Sequence, residues 1–551
     1  MPGTQGTAHL LRVEGVNLGA VLDDTNDISV RRGAGLLLRR AVRDLEKYLA
    51  KRVPVLVPIS MGASVGLFEV RTADSDALVG DAARYLSDHA QYRHLTFVVD
   101  CVPLSEGFRA SLERVTAQNR LRQFQQPTLA IPDSGDAGLW CAVDQIRPGR
   151  AKHAFKDYEV ASLSTRVRRD YGREARQAFY SEELGKAPPC GFTEDLQSLA
   201  APNGTTSFGN LDGKMAVIYL DGNGFGQIQR QCRSAAELRA FDQAVQSYRR
   251  EFLRALIDAA GSDQPGFRRD DQIRLETLLW GGDEILLVVP AWKGIETLER
   301  FYWISCDWEV TVSSIPTPGE ASQEPVPTQE ALTHAGGIVF CRSNTPIAQV
   351  RKAAEELADG VKRWKKAQEE DEEERRNNSP GQAAHEDSSK QLAAARHRGN
   401  RFGYLVLESI DYPTEELDEF RKLRYGEAAK VLEPLAPFAI AATAPWHEGS
   451  RFIASAMARW PRGALYDVAV QWVSFRKQGS EAARQAFEAR LARLWEVSGK
   501  DLHAELCDYA FRFLAPDADY RNDHDHPGWL HLAELWEYLA PQPQLRRGKA
   551  S

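Results

Sequence analysis

Runs of apolar residues along this chain fall into two stretches with the same order of elements. In the first, apolar runs predict strands over 10–16, 53–58, 65–70 and 95–102, with helical spacing over 29–49 and 77–90 between them. The order βαββαβ predicts a ferredoxin-like sheet with helices on one face. In the second, a buried strand over 215–221 leads to a long helix over 235–260 and then to paired strands over 274–280 and 284–290. A helix over 294–305, a strand over 335–342, a helix over 346–366 and a strand over 402–408 complete that order. Two polar stretches interrupt it. One, 313–328, carries four prolines, and the other, 368–400, is a charge-rich run that reads as a solvated, disordered insertion.

Beyond residue 412 the pattern turns helical. Leu465, Val468, Val470 and Val473, then Phe487, Leu491, Leu494 and Trp495, recur at helical spacing and predict the core of a bundle. The expected class is therefore α+β, with a first ferredoxin-like unit at 1–135 and a charged, partly helical region at 136–212. A second ferredoxin-like unit covers 213–411 and a helical part 412–551.

At 551 residues the chain is too long for one ordinary core, which agrees with several units. Hydrophobic content of 43% and charged content of 26% are those of a globular protein. A net charge of −8 argues against a surface coated by nucleic acid, while leaving room for a local basic face. Seven cysteines are scattered without a Cys-x-x-Cys pair, which predicts reduced thiols and no structural zinc site. No run approaches the ~18 apolar residues of a membrane span, and the expected location is the cytoplasm.

The candidate chemistry lies in two turns of the second unit. Asp221-Gly222-Asn223-Gly224-Phe225-Gly226 ends one buried strand, and Gly281-Gly282-Asp283-Glu284 joins two others about 60 residues further on. The order of elements brings Asp221 and Asp283 onto neighbouring strands, where two carboxylates can hold Mg²⁺ against a nucleoside triphosphate. Glu284 can share an ion or assist deprotonation of an attacking hydroxyl. Gly222, Gly224 and Gly226 present no side chain to block phosphates at a turn that leads into a helix. Gly281 and Gly282 allow a tight hairpin and close approach of a base or ribose. An isolated Asp-Gly-Asn-Gly would be only a good turn. The Gly-Gly-Asp-Glu hairpin in the right order is what turns the pair into a candidate site.

These segments resemble the palm of the GGDEF superfamily of nucleotidyl cyclases, and in particular the large polymerase-cyclase subunit of type III CRISPR effector complexes. The Ala335-Gly336-Gly337-Ile338-Val339 strand and the AAEELADGVK helix at 353–362 are similar to that family's motifs. So are the Arg31-Arg32-Gly33-Ala34-Gly35-Leu36-Leu37 helix of the first unit and the helical C-terminal part. The resemblance implies metal ligation by Asp221, Gly222 and Asp283, and a nucleotide held by residues 222–226, including Asn223 and Phe225, with Gly281 and Gly282. It also implies contact of Lys362 with the triphosphate. The implied cofactor is Mg²⁺ or Mn²⁺. The implied reaction converts ATP into a cyclic or short oligoadenylate messenger with release of pyrophosphate, in antiviral defence. Other subunits of an RNA-guided complex, an RNA activator or a second copy of the chain are the implied partners, with no membrane.

Two alternatives stand beside this: a non-catalytic, nucleotide-binding architectural subunit, and a cyclase making a mononucleotide or guanine-containing product. The sequence departs from the family pattern in three places. Glu284 stands where an aspartate is usual, an HD nuclease domain is expected to be absent before the first unit, and the zinc-binding cysteines are reduced to Cys190. In the first unit, Met61-Gly62-Ala63-Ser64-Val65 stands where the second has Trp280-Gly281-Gly282-Asp283-Glu284, and Glu14 stands where Asp221 does. The chain is thus expected to hold one chemical centre and one acid-poor counterpart.

Other charged clusters read as surface. Asp523-His524-Asp525-His526 reads as a solvated loop, and Arg166-Val167-Arg168-Arg169 as a helix face. Arg31, Arg32, Arg39, Arg40 and Arg43 are expected to be mostly solvated, with Arg31 or Arg32 facing a nucleotide between the units.

Overall fold

The first apolar run becomes β1 (Thr7–Val16), a strand inside an antiparallel sheet of order β2-β3-β1-β4 in the computed structural model. The other elements of this unit are α1 (Ile28–Ala50), β2 (Val55–Met61), β3 (Val65–Thr72), α2 (Ser75–Asp88), β4 (Thr96–Pro103) and α3 (Phe108–Gln125). The structure describes residues 6–545 except 106, 128, 130, 132–133, 156–157, 205, 264–265, 314–326, 379–394, 397, 409–415, 427–433, 438–454, 456, 458–459 and 499–525. Asp27 starts α1 by accepting from the main-chain N–H groups of Ser29 and Val30. Alternation along β1 then sorts its side chains. Leu11 and Val13 face α1 and α2, while Leu10 packs with Val102 and with Val115 of α3. Both faces of the sheet are thus covered, where the sequence predicts helices on one face only.

A region without a large sheet follows and contributes α4 (Leu163–Leu184), which packs along α1. Gly33 and Gly172 allow this contact, since a Cβ on either would meet the other helix's main chain at about 2 Å.

The second unit contains β5 (Lys214–Gly222), α5 (Phe225–Gln231), α6 (Ala235–Ser262), β6 (Glu276–Trp280), β7 (Glu284–Pro290) and α7 (Gly294–Ser305). It continues with β8 (Glu309–Ser313), β9 (Pro327–Ala331), β10 (His334–Arg342), α8 (Ile347–Asn378) and β11 (Arg401–Val406). Its sheet has the order β6-β7-β5-β10-β11, which is the first unit's order with one parallel strand added. The near-continuous apolar run of β5 is explained by burial on both faces. Ala216, Ile218 and Leu220 pack with α6 and α7, and Met215, Val217 and Tyr219 with α8.

The two units share more than element order. Gly15 N–H donates to the Ser64 carbonyl at 2.7 Å, and Gly222 N–H to the Asp283 carbonyl at 3.2 Å. Gly62 and Gly281 make the corresponding bonds to Val65 and Glu284, both at 2.8 Å. Glu14 is paired with Val65 as Asp221 is with Glu284. The residue matching read from sequence is therefore the matching of the two hairpins in space.

The helical part includes α9 (Leu417–Tyr425), α10 (Arg462–Gln478), α11 (Glu481–Ser498) and α12 (Gly528–Leu539). Leu465, Val468, Phe487, Leu491 and Leu494 are buried as expected, but Val470 is 44% exposed and Trp472 takes the inward position. Among the described residues no helix is long and apolar enough to cross a membrane.

Several expectations change. The predicted insertion begins late, because α8 continues through 368–378 with Lys365–Glu369 and Lys366–Glu370 pairs one turn apart. Its far end is built in, since buried Asn400 accepts from the His334 N–H at 2.9 Å; residues 379–394 and 397 lie outside the described residues. Asp523, His524 and Asp525 also lie outside them, whereas His526 is buried and caps Gly528 N–H at 3.0 Å. Arg31, Arg32 and Arg39 are not solvated. They are buried against Asp23, Glu276 and Glu183, which supply the counter-charges a buried guanidinium requires. Arg168 is likewise buried, bound to Asp24 at 2.7 Å.

Candidate active site

Asp221 and Glu284 stand directly opposite each other on β5 and β7, so their side chains leave the same face of the sheet. Tyr219, two residues earlier on β5, lies on that face too and donates its hydroxyl to Glu284 Oε1 at 3.0 Å. Asp283 sits in the turn between β6 and β7, and its main-chain carbonyl accepts from Gly222 N–H. The closeness is steric as well. A Cβ on Gly222 would lie 2.8 Å from Asp283 Cβ and 2.6 Å from the Phe225 ring.

The Gly-rich turn divides its labour. Gly224 has φ +70° and begins α5, a conformation that favours glycine. Asn223 ties the turn down, donating from Nδ2 to the Gly399 carbonyl at 2.7 Å and to Thr333 Oγ1 at 3.1 Å. Phe225 points into the core against Phe241 and His334, so it contributes to a nucleotide site only through its main chain. Gly282 faces open space, Gly226 has the Arg230 guanidinium 4.0 Å from where a Cβ would stand, and Gly281 bonds across the hairpin.

Helix α8 closes one side. Lys362 places its ammonium on Asp221 Oδ2. Glu355 and Asp359, which precede it by seven and three residues on the same helix face, add negative charge. Arg351 holds Glu355 at 2.6 Å and also reaches Asp23 of the first unit at 2.7 Å. Burial pushes Asp221 above the usual carboxylate range, Lys362 pulls it back, and Asp283 and Asp359 push it up again. Glu284 is raised as well, by burial first, with the Tyr219 hydroxyl opposing and Asp283 and Asp221 reinforcing.

This donor set fits a hard divalent cation. Mg²⁺ is typically bound by one or two carboxylates, with the remaining positions left to water and phosphate, and Asp221, Asp283 and the Gly222 main chain offer that set. Asp221 and Glu284, whose affinity for protons is raised by burial and by neighbouring carboxylates, gain when a doubly charged ion lies beside them. Among the described residues no three His, Cys, Asp or Glu side chains are grouped closely enough to hold a metal ion by themselves, so an ion here would take its remaining ligands from the Gly222 main chain, water and phosphate.

Two sizeable cavities among the described residues lie elsewhere. One of about 590 Å³ lies between α1, α4 and the start of α8, and one of about 690 Å³ lies under the C-terminal helices; neither is lined by the acids. Sequence reasoning overlooked Tyr219, Glu355 and Asp359, although strand period two from Asp221 and helix spacing from Lys362 mark all three.

No family model and no curated protein matches the chain. Solved structures do. A Csm1–Csm4 cassette in complex with one ATP aligns with a TM-score of 0.50 at 12% identity, covering 98% of this chain and 70% of that one. Csm1 of T. onnurineus aligns with a TM-score of 0.49 at 11% identity, covering 97% and 69%. A cassette in complex with cA4 gives 0.48 at 12%, covering 98% and 70%. Identity this low speaks for fold alone: the chain has the fold of Csm1, a mixed α+β architecture.

Proposed function

We propose that this chain is a divalent-metal-dependent nucleotidyltransferase that joins ATP into a cyclic or short oligoadenylate. The observation that carries the reading is the facing pair Asp221 and Glu284, with Asp283 in the adjoining turn and Lys362 of α8 on Asp221. A solved protein of the same fold, at 12% identity, was crystallised with ATP, which agrees with a nucleotide at such a site.

In the reaction, the 3′-hydroxyl of one ATP attacks the α-phosphorus of another. A P–O3′ bond forms, the bond between the α-phosphorus and its bridging oxygen breaks, and pyrophosphate leaves with the electron pair. Asp221, Asp283 and the Gly222 main chain would hold Mg²⁺ or Mn²⁺, which would supply charge neutralisation at the phosphates and the hydroxyl. Glu284 takes the hydroxyl proton. Its raised proton affinity brings it nearer working pH, where a general base is most effective. Lys362 leaves Asp221 for the triphosphate, and the turn at 222–226 orients the phosphates through main-chain N–H groups. The first unit carries Ser64 and Val65 at the matching hairpin and reaches α8 through Asp23.

The test is labelled ATP with Mg²⁺, for the parent and for Asp283→Ala. Product from the parent and none from the variant is the expected result. A parent that stays silent with RNA and complex subunits present overturns the proposal and leaves an architectural, nucleotide-binding role.

A further inference from the structure

The acidic hairpin hangs from β6, an edge strand whose pairing with β7 is irregular between Thr277 and Leu279. An edge strand with a bulge is the least constrained part of a sheet. Here it is gripped along its length by residues outside the second unit. At its start, Glu276 receives Arg32 of α1 at 2.5 Å and Arg176 of α4 at 2.9 Å. Next to it, the Tyr180 and Thr277 hydroxyls meet at 2.9 Å. At its end, Trp280 Nε1–H donates to Glu183 Oε2 of α4 at 3.0 Å, and the next residue is Gly281 of the hairpin.

Glu183 is an unusual residue for its place. It lies in the last turn of α4, where the helix dipole disfavours a carboxylate, and it is 3% exposed. Cations from both units hold it there: Arg39 and Arg43 of α1, the latter at 3.7 Å, and Arg250 of α6 at 3.6 Å. The Trp280 ring is fixed on its other sides by Phe179 edge-on and by the Arg249 guanidinium 5.6 Å from its centre. Burial lowers Arg39 and Arg249 to about 10, and Glu183 pushes both back up, with Glu182 sharing the charge at Arg39 and Asp242 at Arg249.

We infer that Glu183 is a positioning residue for the acidic hairpin, fixing Trp280 and thereby Asp283, and that through Arg39 and Arg43 it couples the seating of the first unit to the site. The inference rests on the proposed reading of the hairpin as catalytic. It goes beyond that reading by naming a route for control. A partner that shifts α1 or α4 moves the indole's acceptor, and with it the turn that carries Asp283.

The test compares the parent with Trp280→Phe, which removes the indole donor together with one ring of the side chain, and with Glu183→Ala. Hydrogen exchange at the amides of 281–285 is read beside ATP affinity and turnover. Both variants should speed exchange there by about tenfold or more while β10 and β11 keep their protection. Turnover should fall at least as far, with ATP affinity within about twofold, because orientation is lost and binding is kept. Hairpin exchange unchanged in a folded Trp280→Phe protein overturns the inference, as does loss of protection spread evenly over the sheet. Faster hairpin exchange in a protein whose parent makes no product upholds Glu183 as a positioning residue and counts against the nucleotidyltransferase reading instead.

Discussion

The ammonium of Lys362 rests on the carboxylate of Asp221, joining the far end of the α8 core face to the end of β5 across 141 residues of sequence. A proposed metal ligand therefore carries a cation of its own, and the same lysine is the one expected to meet the triphosphate. Lys362→Met removes one charge-assisted contact, worth roughly 1.5–3 kcal/mol, so ATP affinity should fall by about 10–100-fold. In the absence of nucleotide the same variant should bind Mn²⁺ more tightly than the parent, because Asp221 is then unpaired. Titration calorimetry with each ligand alone checks both halves.

The grip on β6 predicts a large stability effect far from any ligand. Glu276 is 1% exposed and balances Arg32 and Arg176 together. Glu276→Gln leaves two buried guanidinium groups short of a counter-charge and should cost about 3–5 kcal/mol. The exposed Arg84–Asp81 pair on α2 offers the contrast, and Arg84→Ala should cost under about 1 kcal/mol. Urea unfolding of both variants beside the parent measures the difference.

Acid should unfold this protein through buried histidines. Burial lowers His334 and His531 to about 3 and His526 to about 4, below the ordinary value of 6.5. Between those limits the unfolded chain binds more protons than the folded one. Stability is therefore full above pH ~6.5 and is lost as pH falls toward the folded values. At pH 5 the loss is roughly 2 kcal/mol for each such histidine. His334→Phe, in a pocket already lined by Phe225, Phe301 and Trp308, should flatten the pH dependence of the unfolding midpoint between pH 7 and 5.

The strands and the acidic pair were legible because β5, β7 and β10 are apolar along nearly their whole length and the turns between them carry Asp and Gly. Element order alone then placed Asp221 beside the 281–284 hairpin. The arginines of α1 were not legible. A helix bearing Arg31, Arg32, Arg39, Arg40 and Arg43 reads as solvated until Glu183 and Glu276 are known to meet it from 144 and 244 residues away. The second face of each sheet was missed for a related reason. Strand periodicity shows that both sides of β5 are apolar, but not which helix supplies the cover. Lys362 was found through resemblance, and only the fold shows it on Asp221.

Two glycines of one turn should separate the site's geometry from the chain's stability. Gly224 has φ +70°, but a Cβ there would meet only the side chain of Gln227 at 3.4 Å. Gly224→Ala therefore pays in backbone strain, about 1 kcal/mol, with the acids left in place. Gly222 has the opposite character. Its backbone is ordinary, yet an added Cβ would press on the Phe225 ring at 2.6 Å and on Asp283 Cβ at 2.8 Å. Phe225 is locked in the core, so the hairpin is the part free to yield, and Asp283 moves away from Asp221. A displacement of about 1 Å in a reacting assembly can cost on the order of 100-fold in turnover. Gly222→Ala should thus lose far more activity than Gly224→Ala at a similar unfolding midpoint. Equal turnover in the two variants would show that the spacing between Asp221 and Asp283 does not set the rate.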